Sequence, residues 1–262
     1  DSNNSSILEL LEMPNVALRR RERITSNEEE RVRQGYRLQM GYRFAPGERG
    51  YRVKEARVSD RLELQYAPAA TILIVNHGWR ARRTEGFRVD METGELIGES
   101  ESTSSQVPGQ QRNIQRVRLC VQDAQNLLRM RILDPVLRDD PVFEMSLMYA
   151  LEHAIEATYQ LEDTELVAEA VGEGDGRSIV FYEASEGGAG ALQRLVEDSS
   201  ALAEVAQEAL HLLHFDPKTG EDLAEDKHRA CYECLLSFSN QLAAHLLDRH
   251  RIRDFLRALA ES

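Results

Sequence analysis

The absences in this chain exclude more than its contents reveal. Three cysteines, an odd number, cannot form a disulfide framework; they point to a reducing compartment, with the cytoplasm as the expected location. No apolar run approaches the roughly 20 residues of a membrane-spanning helix, so no membrane partner is expected. The start, Asp1-Ser-Asn-Asn-Ser-Ser6, is neither a secretory leader nor a natural initiator, which suggests a piece of a longer chain. Catalytic signatures are missing as well. There is no Gly-x-Ser-x-Gly, no His-Glu-x-x-His and no Asp-Glu-x-His, and no carboxylate pair stands out as acid and base, so the segment itself is expected to catalyse nothing.

Charge is unevenly spread. Across 262 residues the net charge is -13, but residues 1–133 carry +4 and residues 134–262 carry -17. Only the front half could attract a polyanion such as DNA, and the acidic back half suits solubility or a protein partner. Within the front half, Arg19, Arg20, Arg21 and Arg23 form an exposed basic cluster. The lone tryptophan, Trp79, is followed by Arg80, Arg82 and Arg83, a setting in which a base could stack; a Trp covering the end of a sheet is the alternative.

The chain is organised around residues 178–195. An apolar run, Ile179-Val-Phe-Tyr182, leads through Gly187, Gly188 and Gly190 into Ala191-Leu-Gln-Arg-Leu195, which reads as strand, glycine turn and helix. A phosphate loop would need a Lys-Ser/Thr after the glycines, and Glu183 and Glu186 would repel phosphate, so close packing is expected ahead of nucleotide binding. A hydrolase built on Glu183 or Glu186 is a distant alternative.

The fold class expected is α+β, with three parts: a basic, helical lead-in over 1–35, an antiparallel β-rich part over 36–133, and a helical α+β part over 134–262. Capping boxes at Thr25–Glu29 predict a polar helix ending at Gly35. Strands are expected over 36–44, 51–58, 62–66, 71–75, 87–89, 117–121 and 127–132, with a polar loop over 99–111. Asp139-Asp-Pro141 starts a core helix bearing Phe143, Leu147, Ala150, Leu151, Ala154 and Ile155 at helical spacing. Paired strands follow at 166–171 and 178–182, then helices over 191–213 broken near Ser200, a loop at 216–220, and helix from 235 to the end.

The sharpest chemical signal is His228-Arg-Ala-Cys231-Tyr-Glu-Cys234. Cys-x-x-Cys is the spacing of structural zinc sites, and His228 adds a nitrogen. A closed site needs a fourth ligand. Cys120 alternates like a strand core residue, and His245, on a continuous helix, would lie roughly 16 Å from Cys234. His211 and His214 remain candidates, and buried thiols at a helix start are the other reading. Three ligands predict a segment that folds without zinc.

The runs Phe181–Leu192, Ala230-Cys-Tyr-Glu-Cys-Leu-Leu-Ser-Phe-Ser-Asn-Gln241 and His245-Leu-Leu-Asp-Arg249 resemble the MrfA-like zinc-binding domain, a family at the C-terminus of bacterial DEAD/DEAH-box helicases and of phage-defence systems such as DISARM and Druantia. Arg23–Arg31, Gly35-Tyr36 and Thr71–Trp79 resemble the segment preceding that domain. The resemblance implies an accessory module of an ATP-dependent DNA helicase. ATP and the motor would lie elsewhere in the parent chain, and DNA, the helicase core or a defence subunit would be partners. It also implies zinc on four cysteines, where this chain has Lys227 and His228 in place of one of them.

Overall fold

The computed structural model describes residues 10–12, 35–47, 50–100, 112–162, 165–184, 188–237 and 240–262. The Arg19–Arg23 cluster, the capping boxes at 25–29, most of the 99–111 segment, Glu186 and Gly187 lie outside the described residues.

In chain order the strands are β1 (Leu10–Glu12), β2 (Tyr36–Arg43), β3 (Pro46–Gly47), β4 (Gly50–Tyr51), β5 (Lys54–Val58), β6 (Leu62–Trp79), β7 (Phe87–Asp90), β8 (Leu96–Ile97) and β9 (Ile114–Ile132). Helices α1 (Pro135–Arg138) and α2 (Pro141–Tyr159), strands β10 (Leu166–Val171) and β11 (Ser178–Glu183), and helices α3 (Ala191–Glu197), α4 (Ala201–Leu212) and α5 (Arg249–Ala260) follow. The fold is α+β, as the sequence pattern indicated.

The chain forms two compact units whose sequences interleave: Asp1–Tyr42 with Ile72–Asp123, and Arg43–Thr71 with Ala124–Ser262. Strands β6 and β9 contribute residues to both. In the first unit, β1 runs parallel to β9 with Leu10 opposite Arg118, and β7 runs antiparallel to β9 with Phe87 opposite Val117. Val89, Ile97, Val117 and Cys120 fill its interior. The turn between β7 and β8 closes where Asp90 Oδ1 accepts from Glu92 N–H (3.0 Å), the side-chain mimicry that favours Asp in turns.

In the second unit, β5 pairs with the start of β6, β9 with β11, and β11 with β10, all antiparallel. Helix α2 starts as its sequence dictates: Asp140 accepts from Val142 N–H (2.9 Å) and Phe143 N–H (3.2 Å), and Pro141 needs no partner for its nitrogen. Its apolar stripe, Phe143, Leu147, Leu151, Ala154 and Ile155, is buried among Val205 and Ala209 of α4 and Ile252, Phe255 and Leu256 of α5. Each of the Phe, Leu, Ile and Val side chains among them contributes about 1.5–3 kcal/mol by leaving water. Phe143 and Phe255 meet edge-on, with ring centroids 5.1 Å apart.

Two expectations are corrected. The strands expected at 62–66 and 71–75 are one strand, β6, and those at 117–121 and 127–132 are one strand, β9. Pro68 lies inside β6, which absorbs it as a local irregularity at Ala69 (φ 52°), whose N–H donates to Asn126 Oδ1. The continuous C-terminal helix is also interrupted. A 3₁₀ turn spans Gln241–Leu246, and α5 begins afresh because Asp248 caps it, accepting from His250 N–H (3.0 Å). Among the described residues no helix is long and apolar enough to cross a membrane.

Candidate metal centre

Four donors converge in the second unit. One ligand atom from each of His214, His228, Cys231 and Cys234 lies within 4.8 Å of all the others. The three residues singled out in the sequence are thus joined by His214. His211 points elsewhere, towards Glu208, and is largely exposed, while His245 sits in the 3₁₀ turn outside the group. The ligand count of three, from which folding without zinc was expected, gives way to four.

Local backbone chemistry delivers each donor. Helix α4 ends in a Schellman arrangement: Phe215 N–H donates to Leu210 O (2.9 Å) and His214 N–H to His211 O (3.0 Å). The residue between must adopt the left-handed conformation, a position usually given to glycine. Here it is His214 at φ 61°, a strain of about 1–3 kcal/mol that is characteristically held at functional sites. Lys227, directly before His228, is left-handed too (φ 47°). Cys231 and Cys234 flank a tight turn in which Leu236 N–H donates to Cys231 O (2.9 Å) and Cys231 N–H points at Cys234 Sγ (3.0 Å).

The two sulfurs are 3.3 Å apart, and His214 Nε2 is 3.3 Å from Cys231 Sγ. Burial pushes the Cys234 thiol up to about 11, so in the absence of a cation it stays protonated at neutral pH. His228 Nδ1 is bonded to the Asp226 carboxylate, which that bond holds below its ordinary range. Its other nitrogen, Nε2, is buried and has no hydrogen-bond partner among the described residues. An orphaned buried nitrogen facing two thiols and a second imidazole fits a tetrahedral Cys₂His₂ zinc, and a carboxylate behind a ligating imidazole is the usual second layer of such a site.

Around the cluster stands a scaffold that sequence reasoning did not single out. Arg249, 0% exposed, donates Nε to His228 O (2.8 Å) and Nη1 to Leu213 O (3.0 Å), and pairs with the Asp222 carboxylate (2.8 Å). It therefore grips the main chain at both histidine-bearing segments, with its guanidinium 4.7 Å from the Phe215 ring centroid. The Arg249 hydrogen bond, assisted by His250, holds Asp222 well below the usual carboxylate range. His153 of α2 bonds Cys234 O through Nδ1 (2.8 Å). The sequence signal for Arg249 was its place in the run His245–Arg249; nothing in the run marks the arginine as buried.

The glycine turn is a packed joint. Gly188 has φ +70°, and a Cβ there would come within 2.2 Å of Glu183 Oε2 and 2.3 Å of Asn126 Nδ2. Glu183 is itself fully buried, accepting from Leu192 N–H (3.1 Å) and Asn126 Nδ2 (3.0 Å). Gly190, at φ 76°, directly precedes α3.

In the first unit, Trp79 is half-buried against Tyr36, with ring centroids 4.3 Å apart. Arg80, Arg82 and Arg83 follow it on an exposed turn. Arg80 Nε donates to Tyr36 O (2.9 Å), and Arg82 lies 4.0 Å from Glu99.

No curated protein matches the chain. Among solved structures it is similar to one described as "Crystal Structure of DUF1998 helicase MrfA bound to DNA", at 13% identity and a TM-score of 0.48, covering 85% of this chain and 25% of that one. The chain thus spans a quarter of the length of that protein. The resemblance read from the residues holds where the site lies: residues 147–235 match the family described as the MrfA Zn-binding domain.

Proposed function

We propose that this chain is a zinc-braced accessory part of an ATP-dependent DNA helicase, without a motor of its own. The observation that carries the reading is the four-donor cluster with its orphaned His228 Nε2, inside a segment matching a zinc-binding family. His214, His228, Cys231 and Cys234 would hold the ion. Bound there, zinc supplies structural cross-linking of α4, the 226–228 turn and the Cys-x-x-Cys turn, and no catalysis. Asp226 orients the His228 imidazole, Arg249 fixes the separation of the two histidine segments, and His153 holds the cysteine turn against α2.

The helicase setting, a longer parent chain with ATPase motors, and a place in bacterial phage defence rest on the family resemblance. DNA contact is assigned to the first unit, through Trp79, Arg80, Arg82 and Arg83 and, outside the described residues, Arg19–Arg23. A protein-interaction role is the second reading. It is favoured by an acidic groove of about 790 Å³ lined by Glu204, Glu208, Asp216 and Glu261.

Elemental analysis tests the metal. One zinc per chain is expected, with unfolding of the second unit on chelation, because the binding energy of a structural zinc is folding energy. Full stability in a zinc-free preparation would refute it. DNA affinity that falls steeply with salt supports the first reading over the second, since phosphate contacts release counterions.

A further inference from the structure

A second feature lies wholly within the first unit. Beside Trp79 is a cleft of about 210 Å³ bounded by Tyr36, Phe87, Leu96, Arg82, Arg88 and Glu99. Tyr36 packs against Trp79 with its ring tilted by 34° and lies 6.0 Å from Phe87, so three aromatic rings share one wall. The wall is not sealed into the core: Tyr36 is 39% exposed, as is 58% of the adjoining Leu96, and Trp79 and Phe87 are half-buried. Exposed apolar surface with a charged rim marks a binding site more often than a plain surface.

The rim gives the occupant its chemistry. Two arginines line the cleft against a single carboxylate: Arg88 is held by the Gly98 and Glu99 carbonyls (2.5 and 3.2 Å), Arg82 is exposed, and the carboxylate is met from behind by Arg116, whose guanidinium bonds both oxygens of Glu99 (2.9 and 2.6 Å). Arg80 and Arg83 add exposed positive charge on the adjoining turn. An aromatic wall with cations at its edge suits a flat ring carried on a polyanion. The volume falls below the roughly 300 Å³ at which pockets for larger organic ligands begin, so it suits one ring system.

We infer that this cleft receives one unpaired base of single-stranded DNA, stacked on the Tyr36–Trp79 wall while the exposed Arg82 meets a flanking phosphate. The inference rests on the nucleic-acid reading above and narrows it. A duplex hides its base faces in the helical stack and cannot offer one to the wall, whereas an unpaired base of any identity can, because every base has a stacking face.

Trp79 is the only tryptophan among eight tyrosines in the chain, so selectively excited tryptophan emission reports on this cleft alone. The experiment titrates the protein with an end-labelled oligothymidylate, an abasic oligomer of equal length, and a duplex, following anisotropy and tryptophan emission together. Oligothymidylate is expected to bind and quench, and the duplex and abasic oligomer to leave the emission unchanged. Trp79→Ala should weaken oligothymidylate binding about tenfold, with Trp79→Phe restoring most of it. Leu96→Ala tests the same wall from an exposed position should Trp79→Ala fail to fold. Binding without quenching, or equal affinity for the abasic oligomer, would overturn the base cleft and leave the nucleic-acid reading standing. No binding to any of the three would overturn both.

Discussion

The two units solve the problem of polar groups in opposite ways. In the second, several charged side chains are buried and tied to main chain: Arg249 to Leu213 O and His228 O, and Glu183 to Leu192 N–H. In the first, apart from the buried Asp90, the described charged groups stay at or near the surface, and several pair with each other. Glu85 meets Arg118 (2.9 Å), Arg37 (3.7 Å) and His77 (3.4 Å) while 43% of its side chain remains exposed. Buried pairs fix geometry because losing one partner strands the other; surface pairs exchange readily with water. The unit that would hold a metal is accordingly the one with interior polar ties. The unit assigned to DNA keeps its cations where a polyanion could compete for them.

The largest break in this contrast should come from Arg249→Leu, which strands the Asp222 carboxylate and removes the donor from two carbonyls. A loss of about 3–5 kcal/mol is expected in denaturant melts, together with weakened zinc retention against a competing chelator. Arg249→Lys, which keeps the charge but not the fork, should lose less stability yet still release zinc more easily.

Next comes Gly188→Val. It forces a β-branched residue to φ +70° and drives Cβ into Glu183 and Asn126. The strain costs about 1–3 kcal/mol and should appear as a lowered melting midpoint; an unchanged midpoint with lost DNA binding would instead make the turn a binding loop.

A smaller, pH-dependent effect belongs to Glu152 on α2. Burial raises its carboxyl to about 8, against the opposing pull of its bond from Ala168 N–H. A folded-state value above the unfolded one means that the native state holds the extra proton. Stability is then full below the unfolded carboxylate range and declines as pH rises towards 8. Glu152→Gln should therefore flatten the melting midpoint's fall between pH 5 and pH 8, the window set by that shift, and change little at pH 4. An undiminished fall would assign the pH response to other groups.

The smallest effect is expected in the first unit, from Glu85→Gln. Despite its three ionic partners, the exposed position predicts a melting midpoint indistinguishable from that of the unaltered protein at moderate salt. A clear loss would show that the surface pairs of this unit are more than solvated contacts.

Some features were legible in the residues because local physics decides them. Asp140-Pro141 writes its own helix start, the 3.6-residue spacing from Phe143 to Ile155 gives α2, and Cys231-x-x-Cys234 gives half a metal site at a spacing that needs no further context. Other features depended on distance in space. His214 lies 17 positions from Cys231, and no periodicity links them; the αL turn after α4 and the returning 222–228 segment bring them together. The pairing of β9 with β11 and the grouping of Arg43–Thr71 with Ala124–Ser262 were likewise set by the fold. The sequence alone determined which side chains could ligate and where α2 would start. Only the tertiary structure decided which of the two candidate histidines completed the set, because a fourth ligand is chosen by proximity, and burial of Arg249 beneath both segments sets that proximity.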